Sequence, residues 1–464
     1  MSTRTETDSI GPIEVPAEAL WGAQTQRSLL YFSIGWEKIP LEIIHALAMI
    51  KKASATANAE LGLLSTEKKE LIARAADAIR SGRHDDAFPL HVWMTGSGTQ
   101  SNMNVNEVIA NLASDYKGTP RGSKDPVHPN DDVNQSQSSN DVFPTAIHIA
   151  LALTIRSALI PATVTLRDAL QNKAEAWKDI VKIGRTHMQD AVPMTLGQEF
   201  GGYASMLTEN LRRLESALNE LYPLCLGGTA IGTGLNAPAG FDRMAIREIA
   251  QATGLPFSPV RDKFAAQGSH DALSAVGGHL KTLAGSLVKI ANDIRLLACG
   301  PRAGFNELIL PANEPGSSIM PGKVNPTQCE AMAMVGVQAM TNDQTVAFSV
   351  SSGYLEMNVY KPIIGHALLQ SCRLMTDSMK NFSTFCVEGM EPNRDRIAEL
   401  MRQSLMLVTA LSPEIGYDAA AKVAKKAHED GTSLKEAALA LGVIDEATFE
   451  QVIDPMKMAF PHQS

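Results

Sequence analysis

Four short segments gather small hydrogen-bonding residues in a sequence that is otherwise largely helical in its patterning: Thr95–Gln100 (TGSGTQ), Gln135–Asp141 (QSQSSND), Gly184–Asp190 (GRTHMQD) and Gly316–Pro326 (GSSIMPGKVNP). Three of them lie just ahead of an expected helix start, where unpaired N–H groups and the helix dipole hold anions. Ser, Thr and Asn add neutral donors and Lys323 adds one fixed positive charge, a combination suited to a small carboxylate ligand. His187 is the only histidine in these segments, and an imidazole gives or takes a proton near neutral pH. Glu330 lies one turn beyond Asn325, and in a folded site that brings the two together it could orient His187 and raise its basicity. Ser317 is a second candidate. Its free hydroxyl is a poor base, so proton abstraction requires an alkoxide stabilised by Lys323 and the N–H groups of the glycine-rich loop. Each segment taken singly also reads as an ordinary cap or turn, His187 as a surface residue, and Glu330 as a first-turn carboxylate favoured by the dipole. Four such segments on one chain favour chemistry.

Other signals fail. No G-x-S-x-G elbow or Ser-His-Asp spacing accompanies Ser317, which disfavours covalent hydrolase chemistry. Gly227–Gly234 (GGTAIGTG) lacks the Lys and Ser/Thr of a phosphate loop and reads as a turn ending a bundle helix. The eleven histidines form no H-E-x-x-H, and no Asp/Glu cluster has metal spacing, so neither a metal nor a cofactor is required. The five cysteines contain no C-x-x-C pair and are odd in number, which points to reduced, mostly buried thiols.

The elements that position these residues are mainly helices. Between 273 and 297, Leu273, Val276, Leu280, Leu283, Leu287, Ile290, Ile294 and Leu297 alternate steps of three and four, and Gly277, Ala284, Ala291 and Ala298 repeat every seven beside them. Large residues on one line and small ones on the next describe a long helix packed closely against several neighbours. Comparable segments run at about 141–177, 195–222, 326–351 and 362–383, which makes five long helices in one bundle. Asn140 or Asp141 is expected to cap the first, with Pro161 kinking or dividing it, and Asn325 before Pro326 to cap another. Ahead of the bundle, extended pieces (Ile10–Val15) mix with helices at about 41–61 and 66–82. Behind it, Pro392 and Pro413 punctuate short helices ending at Pro455, among them an amphipathic stretch at Tyr417–Glu429.

At 464 residues with 44% hydrophobic and 20% charged residues, the chain can bury a sizeable core. Its net charge of −9 without a dense basic block argues against nucleic-acid partners. The apolar run Ile147–Ile155 is broken by His148 and Thr154, short of the ~18–20 residues a span needs, and Met1–Thr7 has neither signal nor transit character. No membrane span is expected, and the chain is expected to stay in the cytoplasm.

Gly316–Pro326 resembles the signature loop of the fumarase/aspartase superfamily, and its continuation Thr327–Ala331 (TQCEA) resembles the class II fumarases within it. TGSGTQSNMNVNEVIA (95–110), HPNDDVN (128–134), SQSSNDVFPTAIH (136–148) and GRTHMQDAVPMTLGQEF (184–200) are similar to the other blocks of that family, in uninterrupted order from about Ile10 to Pro455. The resemblance implies a mainly α fold, with an N-terminal domain (1–135), a central five-helix bundle (136–392) and a C-terminal domain (393–464). It implies metal-independent, reversible hydration of fumarate to L-malate, as in the tricarboxylic acid cycle. The enzyme would be a homotetramer whose active sites each draw on three subunits. By position, Ser317 resembles the base that removes the C3 proton of malate, and His187, oriented by Glu330, resembles the acid side. Ser97, Gly98, Thr99, Ser138, Ser139, Asn140, Thr186, Ser318, Lys323, Val324 and Asn325 match substrate-binding positions. His128, Pro129, Asn130 and Asp131 resemble a second anion-binding site. There, Asp125 stands where some members carry a basic residue and Gln135 where a lysine is frequent, both departures that remove positive charge. The alternatives are an aspartate ammonia-lyase or another fumarate-releasing lyase, which TQCEA disfavours, and a structural bundle protein, which would need none of Ser317, His187, Lys323 and Glu330.

Overall fold

A computed structural model describes residues 2–460. The chain divides into two compact units, one of Met1–Pro161, Arg212–Gly285 and Val335–Thr376, the other of Ala162–Leu211, Ser286–Met334 and Asp377–Ser464. The fold is mainly α. The long helices are Ser139–Thr154 continuing into Ile160–Ala176, then Leu196–Leu221, Asp271–Leu297, Thr327–Val350 and Lys361–Phe382, close to the five segments that periodicity marks out.

The apolar line of the Asp271–Leu297 helix is buried from Leu273 to Leu297 as its spacing requires. The small-residue track has a visible purpose: a Cβ on Gly277 would lie 2.9 Å from Asp343 Oδ1 and 3.6 Å from Leu368 Cδ2, so two neighbouring helices close in on that glycine. Polar pairs fix the register of the other contacts. Asn342 Nδ2 donates to Ser371 Oγ (3.0 Å), Asn210 Nδ2 to Ser286 Oγ (2.9 Å), and Thr163 Oγ1 to Met379 Sδ (3.6 Å).

In the first unit the Leu41–Glu60 helix is central. It buries Ile43, Ile44, Leu47 and Ile50 and packs against the Thr66–Arg80, Ser139–Thr154 and Phe241–Thr253 helices. A two-stranded antiparallel ribbon, Thr3–Asp8 with Gly11–Pro16, opens the chain. In the second unit a hairpin, Val181–Thr186 with Gln189–Thr195, lies against the C-terminal helices through a core that includes Ile183, Leu411, Val423 and Phe449. The helices there continue beyond the expected end, with a last turn at Pro455–Ala459.

Three local expectations shift. The cap of the first long helix is Ser138, two to three residues before the expected Asn140 or Asp141, with Asp141 closing a capping box at the third helical position. Pro161 neither breaks nor divides that helix, because a wide π turn at Ile155–Leu159 precedes it and helical structure resumes at Ile160. The Thr327–Val350 helix begins one residue late: Cys329 and Glu330 donate their N–H groups to the Pro326 carbonyl. Asn325 turns its side chain elsewhere.

Ser139–Ala176 is long and apolar enough to cross a membrane by length and composition, with 50% of its apolar window buried inside the chain. The polar residues that interrupt it in sequence have partners, His148 Nδ1 at 3.1 Å from Leu221 O at the end of the Leu196–Leu221 helix and Thr154 Oγ1 donating to Ala150 O one turn back. Burial holds the His148 imidazole at about 4, below its ordinary range. Burial of Val142, Phe143, Ile147 and Leu151 accounts for the apolarity as that of a core helix.

Candidate active site

Two of the four candidate segments meet in the first unit. Gly98 stands at the start of the Thr99–Lys117 helix with φ +77°, a conformation that favours glycine, and a Cβ there would lie 2.2 Å from Phe143 Cγ. That close approach sets the Thr99–Lys117 and Ser139–Thr154 helix starts side by side. A chain of hydroxyls joins them: Ser97 Oγ and Thr99 Oγ1 are 2.7 Å apart, and Thr99 Oγ1 and Ser139 Oγ 2.6 Å. Two helix N-termini lined by neutral donors form an anion-favouring surface.

Behind it lies a buried polar scaffold. Ser138 N–H donates to Asp141 Oδ1 (3.0 Å), and Gly227 and Thr229 N–H donate to Asp141 Oδ2 (2.8 and 3.0 Å), while Asn140 Nδ2 donates to Ala230 O (2.8 Å). The turn at Gly227–Gly234 does not itself end the long helix, which stops at Leu221 ahead of a short strand at Pro223–Leu224; it anchors the Ser138–Asn140 segment. Burial pushes the Asp141 carboxyl up to about 6, against the pull of those three amides and of Lys51. Lys51, wholly buried, donates to Asn134 Oδ1 and Gln137 Oε1 (2.9 Å each), and Asn102 and Asn106 add their amides to the same Asn134 oxygen. Desolvation lowers the Lys51 ammonium to about 7, the nearby Asp141 opposing it.

His128, Pro129, Asn130 and Asp131 lie in this unit too. His128 Nδ1 accepts the Asn130 and Asp131 N–H groups (3.2 and 3.0 Å). Pro129 and Asn130 line a cavity of about 270 Å³ together with Glu6, Asp8, Glu107 and Lys124, three carboxylates to one ammonium.

The remaining candidates belong to the second unit. Thr186 and Gln189 pair across a two-residue hairpin turn, His187–Met188, in which both residues have positive φ (+54° and +61°). This is the mirror-image turn that strand twist favours, usually built from Asn-Gly, and it costs on the order of 1 kcal/mol per side chain. It leaves His187 exposed at the tip. In the Gly316–Pro326 loop, Ser317 N–H donates to Lys323 O (3.2 Å) and Lys323 N–H to Met320 O (3.2 Å), so the loop closes on itself. The close approach at Gly316 leaves no room for a side chain, since a Cβ would fall 2.2 Å from Lys323 O. Ser317 Oγ accepts the Ile319 N–H (3.4 Å), the Lys323 ammonium donates to Asn325 Oδ1 (2.8 Å), and Asn325 Nδ2 donates to Glu314 Oε1 (3.1 Å). Ser318, Val324 and Glu330 are exposed. Among the described residues, Glu330 makes no hydrogen bond to His187 within one chain, and no group of three or more His, Cys, Asp and Glu side chains is placed to hold a metal ion. The five cysteines are free thiols, four of them buried.

Residues 11–341 match the family model described as lyase, and residues 407–459 the one described as fumarase C C-terminus. Fumarate hydratase class II 1 of Pseudomonas aeruginosa is 56% identical over 98% of both chains, and fumarate hydratase class II of Ralstonia nicotianae 57% identical over 99% of both. The chain belongs to the class II fumarases. Its fold agrees: the crystal structure of class II fumarase from Schistosoma mansoni superposes with a TM-score of 0.97 at 44% identity, covering 100% of each chain. In this class II fumarase most of the candidate residues are the half-buried or exposed groups of the two sets. Beneath them lie Asp141, which the sequence offers only as a helix cap, and Asn134, Lys51 and Glu307, which it does not single out. A signal for Asp141 existed, since Ser138-x-x-Asp141 is a capping-box pattern. Buried charges such as Lys51 and Glu307 carry no local signature.

Proposed function

We propose that this class II fumarase hydrates fumarate reversibly to L-malate in the cytoplasm, as a homotetramer with each active site shared by three subunits and with the domain division 1–135, 136–392 and 393–464. The observation that carries the reaction is a chain 56% identical over nearly its whole length to a fumarate hydratase, presenting two donor-lined helix starts and a loop with one ammonium.

In the dehydration direction, Ser317 as the alkoxide takes the C3 proton of malate, and the electron pair moves into the adjacent carboxylate. The resulting dianion must be met by strong donors, each worth ~3–4 kcal/mol in such a site. Lys323, Asn325 and the loop amides serve there. Ser97, Thr99, Ser139 and Asn140 hold the other carboxylate, with Gly98, Ser138, Thr186, Ser318 and Val324 shaping the surface. The C2 hydroxyl then leaves as water on the opposite face, protonated from the side of His187, with Glu330 orienting the imidazole. An anion at the second site, His128–Asp131, has to displace the His128 imidazole from two amides beside an acidic cavity, so we assign it a secondary role.

Sharing of the site between subunits is supported by the exposure of His187 and Glu330 in a single chain. The outer face of the Thr327–Val350 helix supports assembly: Met334, Val337 and Phe348 are 67%, 57% and 71% exposed, and between Ala331 and Val350 the one charged residue, Asp343, is buried and paired with Lys281. An apolar, uncharged stripe of that kind is a surface for another chain.

The test is fumarate formation, read by its ultraviolet absorbance, from L-malate and from L-aspartate. Malate alone is expected to react; fumarate from aspartate and none from malate contradicts the proposal. Ser317→Ala is expected to cut turnover by about 10³-fold or more with the oligomer intact, and near wild-type turnover would refute the assignment of the base.

A further inference from the structure

The His187–Met188 turn holds two ordinary side chains in a conformation they resist, and such turns persist where the surroundings over-determine them. Beneath the hairpin lies a buried set of charges with no part in the reaction as described. Lys182 and Arg185 stand on the same strand three residues apart, and in a regular strand they would point to opposite faces. The register shifts between Ile183 and Arg185, and that bulge turns both side chains to one carboxylate. Arg185 Nη2 donates to Glu307 Oε1 (2.8 Å), while Lys182 Nζ lies 3.1 Å from Glu307 Oε2 and 2.9 Å from Glu199 Oε2. The Arg185 guanidinium also lies 4.2 Å above the Phe305 ring.

Glu307 is itself immobilised. Its side chain is 0% exposed, its N–H donates to Leu297 O (2.8 Å), and its carbonyl accepts the Asn393 N–H (2.9 Å). Two cations and two carboxylates balance in charge, yet a buried ion cluster stabilises a fold no better than well-packed apolar side chains would. What it supplies is direction: the guanidinium, bonded to Glu307 through Nη2 and stacked over the Phe305 ring, is held in one plane. Arg185 is adjacent to Thr186 and two residues from His187, so the direction it fixes is that of the hairpin tip.

We propose that Glu307, acting through Arg185, is a positioning residue for fumarate hydration that holds Thr186 and His187 in the one orientation in which they meet the substrate. This rests on the reading of His187 given above. The experiment compares Arg185→Met, Arg185→Lys, Glu307→Gln and His187→Asn in the full-length oligomer, measuring kcat and KM for L-malate across pH, thermal midpoint and oligomer mass.

Arg185→Met and Glu307→Gln are expected to lower kcat by about 10²-fold, the scale of a small misplacement of a reacting group, with KM little changed. The limb of the pH profile that His187→Asn abolishes should shift in both. Arg185→Lys, which keeps the charge and loses the fork, should recover roughly a tenth of wild-type kcat. Wild-type kcat in Arg185→Met, or a loss that only tracks the thermal midpoint and spares the pH profile, overturns the proposal. Should Arg185→Met fail to fold, Arg185→Lys decides alone: reduced kcat at an unchanged thermal midpoint supports the proposal, and wild-type kcat overturns it. Full turnover in His187→Asn instead overturns the reading of His187 itself, a result distinct from an intact Arg185→Met beside a crippled His187→Asn.

Discussion

Asp141 accepts three backbone N–H groups while wholly buried, and it ties the substrate segment Ser138–Asn140 to the Gly227–Ala230 turn. An amide in its place offers one acceptor oxygen and turns an NH₂ toward N–H donors. Asp141→Asn is therefore expected to raise KM for malate by about tenfold, since a hydrogen bond to a buried charge is worth ~1.5–3 kcal/mol. Its stability should depend on pH in a defined sense. Burial raises the carboxyl from 3.8 to about 6, so the folded chain binds this proton more tightly than the unfolded one. The stabilisation associated with that proton is complete below the unfolded value and is lost as pH rises through the folded one. The lead of the wild type over Asp141→Asn in thermal midpoint should thus shrink between about pH 4 and pH 6, and a lead that does not vary with pH contradicts the assignment. At this scale the neutral donors were legible in the sequence because Ser, Thr and Asn cluster only where backbone groups need partners. Lys51 and Glu307 are not legible there, since a buried charge is defined by partners far away in the chain.

Helices were legible where their own periodicity decides burial, as from Leu273 to Leu297. They were illegible where a distant residue supplies the terminus. The Ala23–Tyr31 helix has no side-chain cap of its own; Gly22, Gln24 and Thr25 donate their N–H groups to Glu107, more than eighty residues on. The hairpin that carries His187 escaped for a related reason: its turn uses His-Met where the sequence signal is Asn-Gly. The small-residue track marks close packing, and it makes a prediction. Gly277→Val pushes methyl groups toward Asp343 and Leu368 and should cost ~1–3 kcal/mol, seen as a lowered thermal midpoint with an unchanged KM. A variant as stable as the wild type would mean that the helices there are free to separate.

For the whole molecule, membership of the class II fumarases and the mainly α fold followed from motif order, because family blocks are short and spaced along the entire chain. The proposed assembly is written less directly, as an outward face without charge. Val337→Glu, on that face, is expected to split the oligomer and extinguish turnover together, measured by light scattering and malate-dependent absorbance; an active single chain contradicts the shared site. The most direct measurement mixes two inactive variants, Ser317→Ala and Asn140→Asp, one lesion in each compact unit, after reversible dissociation. If neighbouring subunits supply the two segments, about one quarter of the sites in randomly mixed tetramers receive both intact segments and regain malate dehydration. If hybrids form and no activity returns, each site is built within one chain and the account fails.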